Sequence, residues 1–174
     1  MKRLFRMLLA AIMMVVLCAV PDVAMAEEMP DVETSPSADK GELVDIIDCG
    51  NGVVIYSYVT EEPAGGIQTY ASATKTATKY SDVSVGGVYS FTIKQSATFE
   101  YNRSDGVAVI RGASGSISST SSSSSYYPGS VSTSYASGVP GKVTSSTVAY
   151  KRSDGSSYGT CTVYLYVYGD GTYS

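Results

Sequence analysis

Histidine is absent from this 174-residue chain, and its absence restricts the chemistry that the protein could perform. A Ser-His-Asp triad, a Cys-His pair and the usual catalytic zinc ligand sets all need histidine. The sequence also has no phosphate-cradling glycine motif and no Cys-x-x-Cys spacing. We therefore predict that the protein is not an enzyme and that it uses neither a cofactor nor a metal ion.

Carboxylates are the groups that could still carry out acid–base chemistry, since two of them suffice for glycoside hydrolysis. Beyond the acidic N-terminal segment, the candidates include Glu100, Asp105, Asp154 and Asp170. Each of these three aspartates precedes a glycine, and Asp-Gly is typical of tight turns. The pattern favours a structural role for them, and a carboxylate-dependent hydrolase stays an alternative to a non-catalytic protein.

Two cysteines could be joined by a disulfide. Cys18 lies within an apolar N-terminal run, which leaves Cys49 and Cys161 for a single intramolecular pairing. An oxidising compartment outside the cell would favour that bridge, which would tie the start of the domain to its last predicted strand. Two free buried thiols are the alternative.

Tyrosines alternate with apolar residues near the end of the chain. The apolar set consists of Cys161, Val163, Leu165 and Val167. If that set faces the core of a sheet protein, Tyr164, Tyr166 and Tyr168 form a stripe on the outer face. Tyrosine is a good contact residue because it offers apolar area, a hydroxyl group and few rotatable bonds. The stripe is therefore the predicted binding surface, and partial burial of both faces is the alternative.

Strands must position these residues, and the sequence after residue 41 alternates with a period of two. In Tyr89–Tyr101, six of the seven positions on one face are apolar or aromatic, which predicts a long half-buried strand. Gln95 interrupts that face and predicts a bulge or a bend. The other predicted strands are Val53–Thr60, Ile67–Tyr80, Val107–Arg111, Val131–Ala136, Val143–Tyr150 and Thr160–Tyr168. Turn residues separate them, so we predict an all-β fold, an antiparallel β-sandwich of immunoglobulin-like architecture.

Two turns of the predicted domain share a sequence. Tyr-Asn-Arg-Ser-Asp-Gly at 101–106 recurs as Tyr-Lys-Arg-Ser-Asp-Gly at 150–155. Both segments are predicted to turn the chain between neighbouring strands, and the alternative is a matched pair of loops that present one recognition surface. Ser114–Ser125 is a serine-rich tract that can bury little apolar surface. We predict that this tract is a mobile loop.

The first 26 residues carry the pattern of a secretory signal peptide. Three basic residues precede an apolar run at 7–20, and Ala24-Met25-Ala26 supplies a small-x-small cleavage pattern. The predicted organisation is a cleaved signal peptide at 1–26, an acidic flexible linker at 27–41 and a β-sandwich domain at 42–174.

Charge is distributed unevenly along the chain. Residues 27–62 hold ten acids and one base, whereas residues 63–174 hold eight basic and five acidic side chains. After the predicted signal peptide, no basic cluster exceeds Lys151-Arg152, so nucleic-acid binding is not expected. Cleavage of the signal peptide would also leave no stable membrane anchor.

Three motifs, in their order, resemble small exported proteins of Gram-positive bacteria. They are ATKTATKY at 73–80, YSFTIK at 89–94 and ATFEYN at 97–102. In that group a Thr/Ala/Lys-rich strand precedes an aromatic strand and a serine-rich middle. The resemblance covers roughly residues 69–168 and implies a Gram-positive source and a secreted β-domain, and it carries no known activity.

These features together predict a secreted, extracellular interaction or surface-binding module. Its partner would be an extracellular protein or glycan, contacted through the three tyrosines near the end of the chain. A secreted antibacterial or competition factor is a second hypothesis, because the chain is small and shows no wall-sorting motif.

Overall fold

The computed structural model describes residues 40–60, 72–138 and 140–174. The predicted signal peptide, nearly all of the predicted linker and the start of the strand predicted from Ile67 lie outside these residues. No helix is assigned within the described ranges, and hence none that is long and apolar enough to cross a membrane.

Nine strands form two antiparallel sheets in the described part of the chain. They are β1 (Glu42–Gly50), β2 (Val53–Val59), β3 (Ser72–Val85), β4 (Val88–Asn102), β5 (Val107–Thr120), β6 (Tyr126–Pro128), β7 (Ser132–Ala136), β8 (Gly141–Lys151) and β9 (Ser157–Val167). The first sheet has the order β1-β2-β3-β4-β5. In the second sheet, β8 pairs with β9 on one side and with the short strands β6 and β7 on the other. The prediction of an all-β, antiparallel fold is confirmed.

The inner faces of the two sheets share a hydrophobic core, an arrangement consistent with a β-sandwich. One core cluster joins Phe91 of the first sheet to Val163 of the second. The other joins Phe99 to Leu165. All four side chains are fully buried. The period-two alternation of β8 and β9 therefore buries one face of each strand, as the sequence predicts. β4 alternates in the same way from Ile93 onward, whereas Ser90 and Thr92 are buried on its other face.

Polar side chains lie between the two core clusters and form what we call the polar belt: Lys79, Gln95, Thr133 and Ser145. Gln95 is fully buried, and its Nε2 donates to the Ser145 hydroxyl at 3.2 Å and to the Val163 carbonyl at 3.3 Å. The bulge or bend predicted at Gln95 is wrong, because β4 pairs regularly there with Lys79 and Gly115. The irregularities of the β4–β5 ladder lie instead on either side of Gln95.

The prediction that the serine-rich tract is a mobile loop is wrong for its first half. The predicted loop at Ser114–Ser125 belongs to β5 as far as Thr120. The tract pairs with β4, and at Gly115 the second sheet approaches so closely that a Cβ atom would overlap the Thr133 and Ser145 hydroxyls. Small residues thus permit close packing of the sheets where no apolar pattern marks a strand.

Candidate binding face

Tyr164 and Tyr166 lie on the outer face of the second sheet. Val163 and Leu165 of the same strand have no exposed surface, so the alternate positions point away from the core. Both tyrosines are half-buried, and their ring centroids are 6.2 Å apart. The orientation predicted for these two tyrosines therefore matches the structure.

Lys142 joins the two tyrosines into one site. It pairs with Tyr166 across the β8–β9 ladder. Its Nζ lies 3.9 Å from the Tyr164 ring centroid and 5.8 Å from that of Tyr166, which is cation–π geometry. The ion pairs of the described residues are Lys40–Asp82 and Glu100–Arg111, so Lys142 has no carboxylate partner there. We call Lys142, Tyr164 and Tyr166 the tyrosine face.

Tyr168 is separated from this group by the end of β9. Its backbone N–H donates to the Thr172 carbonyl at 2.9 Å, and its carbonyl accepts from the Gly171 N–H at 3.0 Å. Its hydroxyl lies 3.2 Å from the Ser174 Oγ. Tyr168 is thus held in the C-terminal turn, and the predicted stripe of three tyrosines contains two that share a cation and one that does not.

The two cysteines are free thiols, so the predicted disulfide between Cys49 and Cys161 is absent from the structure. Cys49 is exposed at an irregular position near the end of β1, whereas Cys161 is buried in the core. Burial raises the pKa of the Cys161 thiol to about 11, with a smaller upward contribution from Cys49. Burial and the neighbouring Asp48 carboxylate raise the pKa of Cys49 as well. Both thiols are therefore protonated at neutral pH and are poor nucleophiles.

The candidate carboxylates hold turns and a surface ion pair. Asp154 accepts from the hydroxyl and the N–H of Ser156, and these bonds lower the pKa of Asp154. Asp170 accepts from Thr172 in the same way, with the same effect on its pKa. Glu100 accepts from Arg111 at 2.7 Å. Within the described ranges, no three His, Cys, Asp or Glu side chains converge as a metal site would require.

The two turns of shared sequence lie at opposite ends of β9. Arg103 in the first turn donates to the carbonyl of Asp170, beyond the end of β9. Arg152 in the second turn precedes the start of β9 and donates to the carbonyls of Ser121 and Ser124. The prediction of two turns between neighbouring strands is confirmed, and the alternative of one matched recognition surface is wrong.

Sequence reasoning missed one concave site, an open cleft of about 400 Å³ beside the second of these turns. Its lining consists of Ser124, Ser125, Tyr126, Lys151, Arg152 and Ser153. The signal that could have found it is the Lys151-Arg152 pair, the densest basic cluster after the predicted signal peptide. Two bonds from Arg152 to backbone carbonyls show that this side chain anchors the serine-rich segment to the second sheet.

Comparisons of this chain with protein-family models, with curated proteins and with solved structures gave no match. Any proposal about function therefore depends on the chemistry of the chain itself.

Proposed function

We propose that this protein is a secreted, non-catalytic interaction module that binds an extracellular protein or glycan through the tyrosine face. The observation that carries the proposal is the position of the Lys142 ammonium, 3.9 Å from the Tyr164 ring centroid, on an outward-facing surface. Two neighbouring rings supply flat apolar area, and the cation supplies a hydrogen-bond donor beside it. That combination suits the apolar face and the hydroxyl or carboxylate groups of a sugar, and equally an extended polar segment of a protein.

The other parts of the proposal have their own support. Secretion is supported by the charged, apolar and small-x-small pattern of residues 1–26. Two observations support a non-catalytic role. The sequence has no histidine, and Asp154 and Asp170 stabilise turns. The pair of antiparallel sheets supports an immunoglobulin-like architecture. The sequential strand order of the first sheet argues against it.

A glycan array and a screen of extracellular proteins, both probed with the full chain, test this function. We expect Tyr164→Ala and Lys142→Ala each to weaken binding of any hit by about tenfold, because each removes a contact from a small site. Tyr80→Ala is the matched control, since Tyr80 is a half-buried tyrosine on the outer face of the first sheet, with the Lys94 Nζ 5.6 Å from its ring centroid. Hits that bind the Tyr164→Ala variant as tightly as the unmodified protein would show that this surface is not the binding site.

A further inference from the structure

The strand β1 exposes an unusual amount of apolar surface at one edge of the first sheet. Within the described residues it pairs only with β2, so one side of its backbone has no strand partner. Six large apolar side chains of the described residues are exposed, and three of them lie on β1. They are Leu43 at 45%, Val44 at 38% and Ile46 at 56% exposure. An exposed apolar edge strand is a template for pairing with another extended segment.

The backbone of β1 is regular where such pairing would occur. From Asp45 to Asp48 the strand pairs with β2 residue by residue, and register shifts occur only on either side of that stretch. Ile46 lies opposite Tyr56, on the outer face of the sheet, and Ile47 packs against the core. The strand is therefore held firmly from one side, while its other edge carries backbone donors and acceptors in extended geometry.

Charge selects the partner. β1 carries the carboxylates of Glu42, Asp45 and Asp48 and has no basic residue. The nearest preceding base, Lys40, is occupied by Asp82 at 2.5 Å. A second copy paired through β1 would bring acidic strands together, which is unfavourable for like charges at close range. A partner strand that carries basic side chains would instead be attracted to the same edge.

We infer that β1 is a second docking site, independent of the tyrosine face, which binds an extended segment of a partner protein by strand addition. The segment pairs its backbone with the open edge of β1. Its basic side chains lie beside Glu42 and Asp45, which share one face of β1, and its apolar side chains lie against Leu43 and Ile46 on the other face.

Fluorescence anisotropy of the full chain with a labelled peptide tests this inference. The probe is a peptide of nine residues, the length of β1, in which lysine alternates with isoleucine. Two further peptides serve as controls. One has the same sequence with N-methyl groups on alternate backbone nitrogens, and the other has glutamate in place of lysine. We expect the first peptide to bind and each control peptide to bind at least about tenfold more weakly.

The protein side is tested with Ile46→Lys, which places a positive charge on the exposed edge. We expect it to weaken binding of the lysine–isoleucine peptide by about tenfold. Val88→Lys is the matched control, because Val88 is also an exposed apolar residue, at 41%, at the start of β4. Equal binding of the N-methylated peptide would overturn strand addition, since that peptide keeps the charge and loses the backbone donors. A self-association of the full chain that Ile46→Lys abolishes, seen by sedimentation, would also overturn the inference and identify a second copy as the occupant.

Discussion

Lys79 and Gln95 are polar residues whose side chains are buried in the described core. They lie directly opposite one another on β3 and β4 and face the second sheet. Only 4% of Lys79 and none of Gln95 is exposed. Burial lowers the pKa of Lys79, against a smaller upward effect of Asp45. Gln95 Oε1 accepts no hydrogen bond in the structure, which costs stability. The polar belt therefore opposes folding at this point.

We expect Lys79→Met to raise the free energy of unfolding at pH 7 by roughly 1 kcal/mol, because the variant no longer buries an ammonium group. The lowered pKa also predicts a pH dependence. Between the pKa of folded Lys79 and its ordinary value of 10.5, the unfolded chain binds more protons, so the stability of the unmodified protein rises with pH. Urea unfolding should show that Lys79→Met exceeds the unmodified protein in free energy of unfolding by less at pH 10 than at pH 7.

Lys94→Met is the control for this experiment, because Lys94 lies on the opposite face of the same sheet, with its Nζ 5.6 Å from the Tyr80 ring centroid. A Lys79→Met variant that is less stable than the unmodified protein at pH 7 would mean that the ammonium group contributes a favourable interaction to the folded state.

At the scale of elements, strands with a clean period of two could be predicted, and others could not. β2 and β8 bury alternate residues, as β4 does from Ile93 onward, and the sequence alone places all three strands within a few residues of their observed bounds. β1 could not be predicted because its acidic and apolar residues do not alternate. Its pairing with β2 is also interrupted by register shifts. The second half of β5 could not be predicted because serine and glycine give no apolar pattern. That half is a strand because it pairs with β4.

The candidate site was predictable to the same degree. Alternation along β9 places Tyr164 and Tyr166 on one face without reference to any other strand. Lys142 could not be found in that way, because its place beside them depends on the register between β8 and β9. Register is a property of two strands and of the turn between them, and one strand's sequence does not contain it.

The close approach of the second sheet to β5 predicts a marked difference between two glycines of that strand. In Gly115→Ala, the new Cβ would overlap the Thr133 and Ser145 hydroxyls and come within 2.9 Å of Val131 Cγ1. We expect a loss of about 1–3 kcal/mol in the free energy of unfolding, since neighbouring side chains must shift. Gly112→Ala is the control on the same strand, because nothing lies within 4 Å of its Cβ position. Urea unfolding of both variants measures the difference, and equal stabilities would show that the sheets separate readily at Gly115.

At the scale of the whole molecule, the polar belt divides the core, which raises the question of whether the two clusters unfold together. The first cluster contains Phe91 and the second contains Phe99, and both residues belong to β4. β3 pairs with β4 along its whole length, from Ser72 to Val85. Hydrogen-bonded ladders thus cross the belt without a break, and both clusters depend on β3 and β4.

We therefore expect one cooperative transition, to which both clusters contribute. Phe91→Ala and Phe99→Ala should each lower the free energy of unfolding by about 3–5 kcal/mol, because each removes a fully buried ring. Val107→Ala is the control, since Val107 is 39% exposed, and a change within about 0.5 kcal/mol is expected there.

Urea unfolding followed by far-ultraviolet and near-ultraviolet circular dichroism distinguishes one transition from two. If the clusters unfold together, both signals keep a common midpoint in each variant, and that midpoint falls in Phe91→Ala and in Phe99→Ala alike. If Phe99→Ala instead produced a second transition at low urea while the first cluster kept its midpoint, the polar belt would be a boundary between two folding units. The continuous β3–β4 ladder argues for the first outcome, because a boundary at Lys79 and Gln95 would separate backbone pairs that no other described strand is placed to replace.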